Sequence, residues 1–224
     1  MKEFKIRCSA IGSIMTNARS KSETLSETTK KYCQEWAKEQ IYNKKKQFSS
    51  KYTDKGNVVE DDSLDFVAEQ LGLGMLIKNE ELFTNDFLRG TPDAITNDFI
   101  IDVKNSWDCF TFPLFETEVP NKDYYYQAQG YMALTGVKKY KLIYTLMDTP
   151  KHLIEKEAYW YCKNNGFDQL DEDILADFTE RMTFDNIEDK YRIKIFEIDY
   201  NEEVVNDIKE RVNECRTYIK TLIK

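Results

Sequence analysis

Residues 93–104, DAITNDFIIDVK, constrain the fold more than any other stretch of this 224-residue chain. Asn97-Asp98 suits a two-residue turn, and the runs on either side read as strands. Strand side chains alternate between faces, so Ile101 and Val103 point one way while Asp102 and Lys104 point the other. With Asn97 and Asp98 as the turn, Thr96 opposes Phe99, Ile95 opposes Ile100, Ala94 opposes Ile101 and Asp93 opposes Asp102. Two carboxylates opposed at about 5 Å are destabilising unless something compensates. A divalent cation would do so, because magnesium takes a few carboxylate oxygens together with water and phosphate. The alternative is a solvated edge hairpin with two unrelated acids, and a bulge would break the register. Both readings stand at this point.

The rest of the chain alternates helical and strand patterns. SAIGSIM predicts a short helix with Ile11 and Ile14 on one side, and Ser22–Lys46 a longer one. On the latter, Cys33, Trp36, Ala37 and Ile41 share a face, and the closing lysines suit a helix C-terminus. FSSKYTDKG reads as a polar loop, and about Val59–Leu71 as a helix stopped by Gly72. Phe87–Trp107 reads as two strands. Asp123 is placed as the cap of a helix from Tyr124 to about Leu134, ended by Gly136. KYKLIYTLM and RIKIFEID are strands with a helix near Lys156 between them, and a last helix begins near Asn201. Its stripe Val205, Ile208, Val212, Cys215, Ile219 and Leu222 suits packing on the parent domain or a subunit contact. The mixture predicts one α/β domain spanning residues 1–224, with a central mixed sheet flanked by helices.

Three further residues bear on the acids. Glu60 precedes Leu64, Val67 and Leu71 at helical spacing, which puts a carboxylate on an inward stripe where it needs a partner or a metal. The alternative is a Glu that complements the helix dipole. Gln127 and Tyr131 stand four apart and share a helix face, either in the core or beside the acids.

Composition narrows the chemistry. There are 32 Lys and Arg against 40 Asp and Glu, a net charge of −8. A protein that merely coats nucleic acid is usually basic, whereas an enzyme needs only a local basic groove. Lys44, Lys45, Lys46, Lys51 and Lys55 are the densest basic stretch, suited either to duplex phosphates or to a solvated helix end. With His152 as the single histidine, a His-based metal site or triad is excluded. The five cysteines are scattered without a CxxC pair, which argues for reduced thiols over disulfides or a local zinc site. No stretch reads as a signal peptide or a membrane span, so a soluble cytoplasmic protein without membrane contact is expected.

Taken together these residues resemble a known superfamily. GTPDAI followed by IIDVK resembles the signature of PD-(D/E)xK nucleases in Pro92-Asp93 and Asp102-Val103-Lys104. GNVVE, ending at Glu60, resembles its upstream motif, and QAQGY, from Gln127 to Tyr131, the QxxxY motif of its RecB-type branch. The opening IRCSAIGSIMTNARSK is similar to that of the lambda-exonuclease, or YqaJ-like, viral recombinases, in which a Ser and a following Arg contact DNA phosphates; Ser9 and Arg19 match them. The resemblance covers about Ile6–Tyr131. Many members carry Glu where this chain has Asp102, whose shorter arm changes metal reach.

The resemblance implies a restriction-endonuclease-like fold and a catalytic set of Glu60, Asp93, Asp102, Lys104, Gln127 and Tyr131. One or two Mg2+ ions, for which Mn2+ would substitute, would be held by Glu60, Asp93, Asp102 and the Val103 carbonyl. Ser9, Arg19, Lys44, Lys45 and Lys46 would contact DNA. The implied activity is 5′-to-3′ degradation of one strand of linear double-stranded DNA. It would supply single strands to an annealing protein in phage-type recombination. The resemblance also implies a ring-shaped homo-oligomer, a trimer, in the cytoplasm of a bacterial host, of phage or prophage origin. The competing classes are a RecB-type restriction or defence endonuclease and a non-catalytic DNA-binding protein on a nuclease fold.

Overall fold

The computed structural model describes residues 3–46 and 50–223. Strand β1 (Ile6–Arg7) leads through a 3-10 turn (Cys8–Ala10) into α1 (Ile11–Ile14), with Ile11 and Ile14 fully buried as expected. Helix α2 (Glu27–Tyr42) starts on Ser26, whose side chain accepts the Thr29 N–H, and ends on left-handed Asn43. Cys33, Trp36 and Ala37 are buried, but Ile41 is 56% exposed, and the three lysines lie beyond the helix end.

Helix α3 (Lys51–Leu71) begins eight residues before the expected start, because Ser50 caps it by accepting the Thr53 N–H. Of the expected polar loop, residues 48–49 lie outside the described residues, Ser50 is the cap and the rest, from Lys51, is helix. Gly72 ends α3 at φ 63°, a conformation that costs glycine little.

The segment expected to form two strands contributes three. Strand β3 (Leu88–Gly90) pairs in parallel with β1 and antiparallel with β2 (Phe83–Thr84) in a small sheet ordered β1-β3-β2. The chain then crosses into a second sheet, ordered β4-β5-β6-β7, through β4 (Ala94–Ile95) and β5 (Ile100–Asn105). The hairpin has the expected register, Ala94 against Ile101 and Ile95 against Ile100, closed by the Thr96 N–H on the Phe99 carbonyl at 2.9 Å.

Helix α4 (Lys122–Thr135) carries the chain from β5 to its parallel neighbour β6 (Lys139–Thr145). Asn121 caps it by accepting the Asp123 N–H, so Asp123 lies in the first turn and is not the cap. Beyond β6 come α5 (Lys151–Asn164), α6 (Glu172–Met182), antiparallel β7 (Ile193–Asp199) and α7 (Glu202–Leu222). The stripe of α7 from Val205 to Ile219 is buried, with Ile208, Val212 and Cys215 in the same cluster as Cys33 and Trp36 of α2, so it packs on its own chain. Leu222 is exposed.

The two faces of β5 receive different helices. Ile101 and Val103 pack with Ala94 and Ile143 against Leu64 and Val67 of α3. Ile100 and Leu142 join Ala128, Tyr131 and Met132 of α4 in the larger core, which also contains Ile6 and Leu88 of the small sheet. Glycines permit the close approach of β3, α4 and the first turn. A Cβ on Gly90 would stand 2.6 Å from the Tyr131 ring, and one on Gly130 would stand 2.5 Å from Ile11. Among the described residues no helix is long and apolar enough to cross a membrane.

Candidate active site

Asp102 sits on the α4 side of a strand that has neighbours on both edges, and only 1% of its residue surface is exposed. The solvated edge hairpin is therefore excluded. Its Oδ1 accepts from Gln127 Nε2 at 3.2 Å. Its Oδ2 is buried without an aligned hydrogen bond, with the Lys104 ammonium 2.6 Å away as an ion pair. Burial works against a charged Lys104, but Asp102 and then Asp93 outweigh it and hold the ammonium above its usual range. The Lys104 nitrogen also lies 4.9 Å from the centre of the Tyr124 ring.

Asp93 follows directly on Pro92 at the start of the hairpin, and its Oδ2 accepts the Val103 N–H at 2.8 Å. In a strand the N–H and C=O of one residue face the same edge, so the Val103 carbonyl also lies on Asp93's side, past the end of β4. Burial, and then the charge of Asp102, push Asp93 up to about 7. Lys104 and the Val103 N–H pull the other way without cancelling this. The like-charge conflict read from the register is thus present in the folded chain.

The other expected residues fall at varying removes. Gln127 and Tyr131 both line this core, and the Tyr131 hydroxyl donates to the Thr91 carbonyl at 3.0 Å. Glu60 is half-buried on α3 and adds to the negative field at Asp93, but its Oε2 is taken by Lys78 Nζ at 2.7 Å. Among the described residues no three His, Cys, Asp or Glu side chains converge as a ready metal cluster. The donors nevertheless fit a hard cation: two coupled carboxylates, one with a buried oxygen lacking a hydrogen bond, beside a main-chain carbonyl.

Sequence reasoning missed two participants. Tyr140 of β6 is buried with its ring stacked on Tyr131 at 6.4 Å, and burial followed by the Asp102 charge keeps its hydroxyl protonated. Lys78 lies in a segment without regular secondary structure and with no periodicity to mark it.

A cleft of about 400 Å³ is lined by Tyr131 together with Arg7, Ser9, Glu39, Lys45, Lys46 and Arg89 among others. The parallel register of β1 and β3 puts Arg7 directly beside Arg89. Ser9 and two of the three expected lysines are therefore brought together here, and Lys44 lines an adjoining groove with Lys38 and Tyr42. Arg19 is exposed and does not line the cleft. Two lysines leave the basic stretch altogether. Lys55 is fully buried and donates to the Trp107 carbonyl at 3.0 Å, while Lys51 pairs with Glu157 at 3.0 Å.

The fold recurs in solved structures. A phage-related exonuclease from Haemophilus somnus 129PT superposes with a TM-score of 0.81 at 30% identity, over 99% of this chain and 96% of that one. The chain belongs to the phage-related, lambda-exonuclease-like exonucleases. An alkaline exonuclease from Laribacter hongkongensis, LHK-Exo, shares the fold with a TM-score of 0.66 at 15% identity, over 98% of this chain and 89% of that one. The LHK-Exo complex with dAMP matches equally, with a TM-score of 0.66 at 16% identity over the same shares. No family model and no curated protein matches by sequence.

Proposed function

We propose that this exonuclease degrades one strand of linear double-stranded DNA from a 5′ end, with Asp93, Asp102 and the Val103 carbonyl holding Mg2+. The observation that carries the reading is the Asp93–Asp102–Lys104 set: opposed, buried carboxylates beside an ammonium. When bound, the ion would lower the pKa of its water and neutralise charge on the phosphate. Lys104, paired with Asp102 at 2.6 Å, is placed to stabilise negative charge developing on the phosphate. Gln127 fixes the Asp102 carboxylate through its hydrogen bond. Tyr131 and Tyr140 wall the site and exclude water.

The end preference follows from the second cleft. Arg7 and Arg89 are like charges side by side in a parallel ladder, and with Lys45 and Lys46 they line the cleft against the carboxylate of Glu39, an excess of positive charge. A 5′-phosphate would meet that excess, with Ser9 along the same wall. Arginine takes over the role expected of Arg19. The single strands produced would feed an annealing partner, and a ring-shaped oligomer would keep an acidic protein on its substrate.

The test compares Mg2+-dependent digestion of linear duplexes bearing 5′-phosphate or 5′-hydroxyl ends with a closed circle of the same sequence. The expected result is a roughly tenfold preference for the phosphate, no cutting of the circle, and loss of the preference in Arg7→Gln and Arg89→Gln but not in Arg19→Ala. Efficient cutting of the circle would make this an endonuclease. No cutting of any substrate would make it a binding protein.

A further inference from the structure

We propose that Lys78 and a divalent cation compete for Glu60, so that entry of the ion at Asp93 and Asp102 displaces the lysine. The inference rests on the reading of those acids as a metal site. Lys78 Nζ stands 2.7 Å from Glu60 Oε2 and 3.5 Å from Asp61 Oδ1. Its backbone is fixed beside the candidate ligands. The next residue, Asn79, donates its N–H to the Asp93 carbonyl at 2.7 Å and its side-chain amide to the Pro92 carbonyl at 3.0 Å. Leu73 and Leu76 pack the preceding stretch onto the Leu64 and Val67 cluster. Only the Lys78 side chain is left to move, and 41% of it is exposed, so its ammonium can swing into water.

Lys104 differs. It is largely buried against Asp102 and has no comparable exit. Lys78 Nζ occupies Glu60 Oε2 at 2.7 Å, so a cation that takes this oxygen has to displace the ammonium from it. The exchange also accounts for the third expected acid not closing with the other two into a ready metal cluster: its Oε2 is held by the lysine.

Mn2+ binding to the full chain without DNA, followed by the paramagnetic resonance of the free ion, tests this. Lys78→Met and Lys78→Gln should each bind Mn2+ roughly fivefold more tightly than the parent, the scale of a partly exposed ion pair. In a Glu60→Gln background the same substitutions should change nothing. Unchanged or weaker binding in the Lys78 variants, or an equal gain without Glu60, would overturn the exchange. Asp102→Asn separates the two claims. If it binds Mn2+ as the parent does, the metal reading fails and takes the exchange with it. If it binds poorly while the Lys78 variants match the parent, the exchange alone fails.

Discussion

Lys55 offers a test of how far the basic stretch is structural. Its side chain is fully buried and its nitrogen donates to the Trp107 carbonyl. Burial lowers its pKa from 10.5 to about 8, against a partial offset from Asp148 and Asp108. At 1.36 kcal/mol per tenfold in proton affinity, that difference is worth on the order of 3 kcal/mol. The folded pKa of this base lies below the unfolded one, so between about pH 8 and 10.5 the unfolded chain binds more protons. Stability therefore rises with pH across that window. Burial, their leading cause, also raises Tyr131, Tyr140 and Tyr144, which costs stability above about pH 10, but equally in parent and variant. Urea unfolding of the parent and of Lys55→Met at intervals from pH 7 to 10 isolates the lysine as a difference. The difference should move in favour of the parent by about 2–3 kcal/mol over that range, while the salt dependence of DNA binding stays the same in both. A difference flat with pH would refute the buried ammonium. A shallower salt slope in the variant would return Lys55 to the phosphate-binding surface.

Other outcomes follow from the site. Lys104→Ala should cut turnover by about 100-fold or more while circular dichroism and DNA affinity stay near those of the parent. Asp93→Asn and Asp102→Asn should each abolish Mg2+-dependent cleavage. In chelator Asp93→Asn should melt about 3 °C or more above the parent, since it relieves repulsion, whereas Asp102→Asn should melt lower because it strands buried Lys104. Gly90→Ala should destabilise by about 1–3 kcal/mol, read by denaturant midpoint, because its Cβ would meet the Tyr131 ring at 2.6 Å.

What could be read in advance was local. The register of β4 and β5 depends on one turn and on alternation, and Ala94 against Ile101 follows from those alone. The caps at Gly72 and Gly136 and the stripe of α7 are likewise written in short windows. What escaped depends on distant partners. Lys55 is buried because Trp107, 52 positions away, offers a carbonyl. Strands β1 and β3 have two and three residues, too short for a pattern, and they pair across more than 80 positions; the Arg7–Arg89 pair was therefore invisible. Helix α6, for which the sequence offered no reading, packs through Leu175, Phe178 and Met182 on a small satellite cluster with Trp107 and Ile154. Among the acids, alternation placed Asp93 and Asp102, while the orientation of Glu60 was decided by a lysine in an unpatterned segment.

Tyr131 is a wall with two attachments. Its ring lines the arginine cleft and stacks on Tyr140, which lies next to the Asp102 carboxylate, with its hydroxyl hung from the Thr91 carbonyl. Removing the ring would take a wall from the cleft and the stacking partner from Tyr140 at once, so an inactive Tyr131→Ala would say nothing about chemistry. Trimming only the hydroxyl, as in Tyr131→Phe, leaves the wall standing and tests the hinge on which it hangs.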